Sequence, residues 1–284
     1  MDSLPFKQVD VFTAVPYQGN PVAVVMGAQS LSGSQMQRIA MWTNLSETAF
    51  ILPASNPLAD YRVRIFTPKG ELPFAGHPSL GAAHAVLEAG WAAPREEVLT
   101  QECGVGLVRL YRDPSEGRLH LDLPPAHATA LADDLRQRLV DAVGVALKGP
   151  AAILDLGPRW LTAEAVAIAE LLAARVDFPA VQKLSEDLAI TGVTLFARDD
   201  SATEVRSFAP AAGVPEDPVC GSGNGAVAAL LRAQGQSASY RARQGRAVGR
   251  DGYAYLEFVP DGPIRLGGDT VTCIDGRLLV PTSA

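Results

Sequence analysis

Apolar residues in this chain come in short runs separated by turn-formers. Val9–Phe12 and Val22–Val25 flank PYQGN, whose Gly19 and Asn20 tolerate positive φ, and predict two strands around a turn. Ser32–Trp42 places Met36, Ile39 and Ala40 on one face behind a capping serine, which predicts a helix. Ala49–Leu52 and the alternating Tyr61–Phe66 predict strands. Leu119–Leu123 (LHLDL) alternates strictly, so His120 and Asp122 share a face. Pro124–Ala132 has no periodicity and predicts a linker. Beyond it Asp133–Val143 and Thr162–Leu172 predict helices, and Val193–Ala197, Tyr253–Phe258 and Leu278–Val280 predict strands.

The pattern occurs twice. Arg64–Pro68 reads RIFTP and Arg206–Pro210 reads RSFAP, 142 residues apart, half of the 284-residue chain. Behind each comes a glycine turn and a small-residue helix: PFAGHP then SLGAAHAVLEAG, and PVCGSG then NGAVAALLRAQG. The pairing sets Ala75 opposite Cys220, Gly76 opposite Gly221 and His77 opposite Ser222. Gly81–Ala89 and Gly225–Ala233 are apolar all round, the mark of a buried helix. The expected fold is α+β rather than a βαβ succession: two domains of like topology, each a curved sheet wrapped around a central helix. The expected boundaries are 1–127 and 128–284, with a C-terminal strand at about 275–284 packing back on the first domain.

Composition narrows the function. With 48% hydrophobic residues the chain can build a core, and a net charge of -7 without basic clusters excludes nucleic acid and anionic membranes as main partners. The opening MDSLPFKQVDVF lacks a signal-peptide pattern, and no run approaches the ~18 apolar residues of a spanning helix. Three cysteines, Cys103, Cys220 and Cys273, without any CxxC, exclude a disulfide framework or a zinc site of usual spacing. The expectation is a soluble cytoplasmic protein.

The glycine turns suggest chemistry. A helix N-terminus exposes unpaired N–H groups with partial positive charge, and glycines admit a ligand to them. The stretch EDPVCGSGNG (Glu216–Gly225) lacks the lysine of a P-loop and the GxGxxG spacing, so a small carboxylate fits better than a phosphate. A tight turn without a ligand is the alternative.

Four blocks in order, VDVFTAVPYQGNPVAVV, LSGSQMQRIAMWTNLSETAF, RIFTPKGELPFAGHP and FAPAAGVPEDPVCGSGNG, resemble the PhzF family of phenazine biosynthesis, within the diaminopimelate epimerase-like superfamily. The resemblance covers essentially the whole chain. It implies two similar, pseudo-symmetric domains, each a barrel-like, mostly antiparallel sheet around a central buried helix, with an active site in the cleft between them; it also implies homodimers and catalysis without a metal or organic cofactor. By motif it makes Glu47 of NLSET, His77 of the GHP turn and Asp217 the catalytic residues. Ser46, Gly76, Gly221 and Ser222 become substrate contacts.

The residues themselves support part of this. Glu47 precedes an apolar strand, where a carboxylate is costly, and the aligned ITGVTLF (Ile190–Phe196) has Val193 in its place, so the acid serves chemistry; a solvated loop glutamate is the alternative. His77 lies just inside a helix N-terminus, where the dipole disfavours a charged ring. Asp217 either reacts or caps its turn. His84 reads as a satisfied core histidine, His120 as a strand-face residue and His127 as a linker residue; Glu71 and Glu216 read as solvated. Diaminopimelate epimerase uses one cysteine at each helix start; here Ala75 fills the first position, which excludes a two-thiol racemase. Cys220, with a thiol made more acidic by the helix end, then lines the pocket. Cys103 and Cys273 read as structural.

The expected activity is isomerisation of a small carboxylate, similar to that of trans-2,3-dihydro-3-hydroxyanthranilate isomerase, with Glu47 moving a proton. The rivals are an epimerase or racemase with a second base, and a non-catalytic carboxylate-binding protein.

Overall fold

In a computed structural model, which describes residues 2–280, the first runs become β1 (Asp2–Val11) and β2 (Asn20–Met26), paired antiparallel across the PYQGN turn. Helix α1 (Gly33–Thr43) opens with a full capping box: Ser32 accepts from the Gln35 N–H and Gln35 reaches back to the Ser32 N–H. Such a cap is worth about 1 kcal/mol. Met36 and Ala40 are buried, and Ile39 packs beside them.

The chain continues through β3 (Thr48–Leu52), β4 (Tyr61–Thr67), β5 (Gly70–Leu72), α2 (Gly76–Glu88), β6 (Val98–Cys103), β7 (Gly106–Arg112) and β8 (Leu119–Asp122). With the final strand, Thr270–Val280, these form one compact unit, made of the chain up to Asp122 and again from Gly267. Neighbours are antiparallel except at β2–β3 and β4–β6, which are parallel and have a helix between them in sequence. Helix α2 packs on β1, β2, β3, β4, β6, β8 and the final strand, which buries it from His77 to Ala83.

The second unit, Leu123–Leu266, starts with β9 (His127–Ala130), α3 (Asp133–Val143), β10 (Leu147–Asp155) and β11 (Arg159–Ala165). It continues through α4 (Ile168–Ala173), α5 (Phe178–Leu188), β12 (Gly192–Arg198), β13 (Thr203–Ala209), β14 (Val214–Asp217) and α6 (Gly221–Ala233). It ends with β15 (Tyr240–Gln244), β16 (Gly252–Phe258) and the start of β17 (Ile264–Gly268), whose last two residues belong to the first unit. The pairing repeats that of the first unit, with parallel steps at the same places, β11–β12 and β13–β15. Helix α6 packs on β10, β11, β12 and β16 and is buried from Gly223 to Leu231. The fold is therefore α+β, a barrel-like and mostly antiparallel sheet around a central helix in each unit. The parallel crossovers are βαβ steps that the alternation of short runs does not reveal.

Each R-x-F-x-P copy builds the same arrangement. Arg64 on β4 grips Glu71 on β5 through two bonds of 2.7 Å and lies 5.1 Å over the Phe66 ring. Arg206 on β13 grips Glu216 on β14 through two bonds of 2.8 Å and lies 5.1 Å over Phe208. Neither glutamate is simply solvated, contrary to expectation. In the second unit both partners are buried, and removing one would strand a charge, a loss of about 3–5 kcal/mol.

Three other expectations change. Thr162–Leu172 is not one helix: Arg159–Ala165 is a strand paired on both sides, and the helix is only Ile168–Ala173. That strand is buried on both faces, so it has no alternation, and its Ala163, Glu164 and Ala165 favour a helix until its neighbours impose pairing. His127 is not in a linker but starts β9, paired with Asp155 of β10; all four β9 residues are exposed, so burial leaves no pattern. The units meet at Asp122/Leu123 rather than at 127/128, and the returning strand starts at Thr270, not near 275; residues 281–284 lie outside the described residues. No helix among the described residues is long and apolar enough to cross a membrane.

Candidate active site

In the first unit, α1 ends on Asn44 in the left-handed conformation (φ 53), which asparagine tolerates, and the chain turns through Leu45 and Ser46 to Glu47. Thr48 is fully buried and its hydroxyl meets that of Thr43 at 3.0 Å, closing the connection. Glu47 is thus set at the entry of β3, its side chain only 17% exposed. Helix α2 starts at Gly76 behind Ala75, which offers no side-chain cap, and Pro78 has no N–H to donate. The N–H groups of Gly76 and His77 lie in the first turn, beyond the reach of the helix's own carbonyls.

Glu47 and His77 are brought together, Oε2 to Nε2 at 3.6 Å. Burial lowers the His77 pKa from 6.5 to about 4, partly offset by a hydrogen bond to the Pro21 backbone, so the ring is neutral at pH 7. The neutral ring was expected from the helix dipole; desolvation is the larger cause. Proline's backbone can only accept, so the ring donates to the Pro21 carbonyl. Nε2 has no hydrogen bond among the described residues, which assigns the ring proton to Nδ1 and makes Nε2 an acceptor facing Glu47. A carboxyl and an unprotonated imidazole nitrogen in this arrangement can share one proton.

In the second unit the turn before α6 gathers Asp217, Cys220, Gly221 and Ser222. Asp217 accepts from the Val219 N–H at 3.1 Å, yet burial outweighs its hydrogen bonds and raises its pKa from 3.8 to about 6. Cys220 is the N-cap of α6: its sulfur accepts from the Gly223 N–H at 3.3 Å. A Cβ on Gly223 would lie 2.6 Å from Ser207 Oγ and 2.7 Å from Thr194 Oγ1, so only glycine lets the helix start here. Burial, then the neighbouring Asp217 charge, push the thiol well above its ordinary range. This reverses the expectation of a thiol acidified by the helix end. The sulfur is a neutral cap.

Two residues of this turn's support escaped the sequence reading. Gln244 on β15, 1% exposed, accepts from the Cys220 N–H (3.2 Å) and Asn224 Nδ2 (2.7 Å) and donates to the Asp217 carbonyl (2.9 Å). Trp160 on β11, 2% exposed, donates from Nε1 to Ser222 Oγ at 3.0 Å. Neither lies in a motif, and only the fold brings them near residues 217–224.

The comparison of Glu47 with Val193 shifts by one residue. Thr48 pairs with Phe66, and Val193 pairs with Phe208, so Val193 matches Thr48 and Gly192 matches Glu47. A Cβ on Gly192 would lie 2.0 Å from the Phe208 carbonyl oxygen, which leaves no room for an acid in the second copy. Of the other histidines, His84 bonds Thr272 Oγ1 (3.0 Å) and Thr270 Oγ1 (2.9 Å). His120 and Asp122 are both half-buried on the same face of β8.

The model of the PhzC-PhzF family, described as phenazine biosynthesis-like protein, matches residues 9–276. The chain belongs to the PhzF family. It is 38% identical over 232 residues to trans-2,3-dihydro-3-hydroxyanthranilate isomerase of Pseudomonas chlororaphis, covering 80% of each chain. It is 35% identical to antisense-enhancing sequence 1 of Schizosaccharomyces pombe, over 97% of this chain and 98% of that protein. The crystal structure of a PhzF-family protein from Bacillus anthracis shares the fold, with a TM-score of 0.86 at 22% identity, over 99% of this chain and 100% of that one. Family and relatives make the chain a PhzF-like isomerase.

Proposed function

We propose that this PhzF-family protein isomerises a small ring carboxylate of the trans-2,3-dihydro-3-hydroxyanthranilate type, the compound named for its Pseudomonas chlororaphis relative. Glu47 takes a proton from a carbon acidified by conjugation and returns it elsewhere on the same conjugated system. Neutral His77 holds the proton on Glu47 through Nε2. Within the first unit Gly76, at the open start of α2, is a contact for developing negative charge and Ser46 flanks the base; within the second, Gly221 and Ser222, at the start of α6, are contacts for a carboxylate. Asp217 serves as a second proton-holding group, and Cys220 shapes its turn. The observation that carries this reading is the buried Glu47–His77 pair at 3.6 Å beside an uncapped helix start.

The test is conversion of trans-2,3-dihydro-3-hydroxyanthranilate in heavy water, followed by mass spectrometry and NMR. One deuterium with a migrated double bond is expected. Glu47→Gln should keep its circular dichroism spectrum and lose activity by ~10²–10⁴-fold. Retained turnover by that variant removes Glu47 from the mechanism. Asp217, with its pKa near 6, favours a second reading as a two-base epimerase, for which deuterium at an inverted centre with no double-bond shift would be the result.

A further inference from the structure

The second residue of each central helix is held from near the start of a neighbouring strand, and the two holds have opposite polarity. In the first unit the Pro21 carbonyl on β2 can only accept, so His77 spends its proton there and offers Nε2 as an acceptor. In the second, the Trp160 N–H on β11 can only donate, so the Ser222 oxygen accepts at 3.0 Å and its own O–H remains to be given away. An acceptor within reach of that proton is Cys220 Sγ at 3.7 Å, a weak one already engaged by the Gly223 N–H. Ser222 is half-buried, so a ligand can reach it.

We infer that Trp160 is a positioning residue that fixes Ser222 as a hydrogen-bond donor to the substrate carboxylate. With the N–H groups of Gly221 and Ser222 this gives an all-donor seat, which favours an anion over a neutral amide or ester of the same shape. The inference rests on the carboxylate reading of this site given above.

The experiment compares wild type, Trp160→Phe, Ser222→Ala, Ser222→Thr and the Trp160→Phe/Ser222→Ala pair. Each is measured for turnover of trans-2,3-dihydro-3-hydroxyanthranilate and, by calorimetry, for binding of 2-aminobenzoate, a planar ring carboxylate. Trp160→Phe should raise KM and the 2-aminobenzoate Kd about tenfold, the scale of one hydrogen bond to a charge, with kcat within threefold. Ser222→Thr should keep its affinity, and Trp160→Phe should add nothing in the Ser222→Ala background. An equal additional loss in that background, or a fall in kcat with KM and Kd unmoved, overturns the inference and leaves Trp160 as core packing. Wild type that binds 2-aminobenzoate in a Trp160-dependent way without turning over the substrate defeats the substrate reading and supports this one. Turnover with Trp160-independent binding does the reverse, and a wild type that binds neither compound overturns both.

Discussion

The buried imidazole of His77 makes stability depend on pH in a way that can be isolated. At pH 7 the ring is neutral in the folded and the unfolded chain. Below 6.5 the unfolded chain takes up a proton that the folded chain refuses until about pH 4. Stability is therefore full above 6.5 and lost as pH falls toward 4. A displacement from 6.5 to about 4, at about 1.4 kcal/mol per pH unit, is a loss of about 3 kcal/mol. His77→Gln removes the titration while other groups keep theirs. Urea unfolding of both proteins, followed by circular dichroism in half-unit steps from pH 7 to 4, gives a difference in which the titrating groups remote from residue 77 cancel. That difference, variant minus wild type, should shift in favour of the variant by about 3 kcal/mol over this range, whatever its value at pH 7. A constant difference would mean that the ring is hydrated. A shift of the opposite sign would mean that His77 is charged in the folded protein and paired with Glu47, and proton sharing as argued above would be wrong.

Asp217 should show the mirror image. Its pKa rises from 3.8 to about 6, so its contribution is present below 3.8 and lost as pH rises through 6; Asp217→Asn minus wild type should grow by about 3 kcal/mol between pH 3.8 and 7, and a flat curve in the same urea assay counts against a buried carboxyl. Cys220, 5% exposed with a raised pKa, should resist iodoacetamide in the native protein at pH 8, and Cys220→Ser should keep turnover within tenfold, below about 1.4 kcal/mol in the barrier. Rapid labelling of Cys220 seen by peptide mass mapping, or an inactive serine variant, would restore the thiol as a base.

Much of the architecture was legible because it is written twice. The arginine, phenylalanine and proline spacing marks β4 and β13, and the all-apolar helices behind them could only be central ones. The capping serine of α1 and the alternation of β8 are local signals, and local signals survive folding. What failed to show was set by distant neighbours. Residues 159–165 are a strand because β10 and β12 flank them, and residues 127–130 are one because β10 borders them. Glu71 and Glu216 looked solvated because their arginines lie several residues away across a strand pair. The candidate site divides along the same line. Glu47, His77 and the Cys220 turn stand in motifs, whereas Gln244 and Trp160 reach the turn from other strands, and Gly192 became the counterpart of Glu47 only through strand register.

The final strand has a consequence for biosynthesis. It pairs with β1 along its whole length, from Asp2 opposite Val280 to Val11 opposite Thr270, yet the second unit lies between them in the chain. On the ribosome β1 can pair early with β2, but its other edge stays open while residues 123–266 are made, on the order of ten seconds at ordinary rates of synthesis. The inserted unit is complete before the first is, so the half synthesised earlier is the half that finishes folding last. An open strand edge invites pairing with other chains, and during those seconds β1 of the nascent chain presents one.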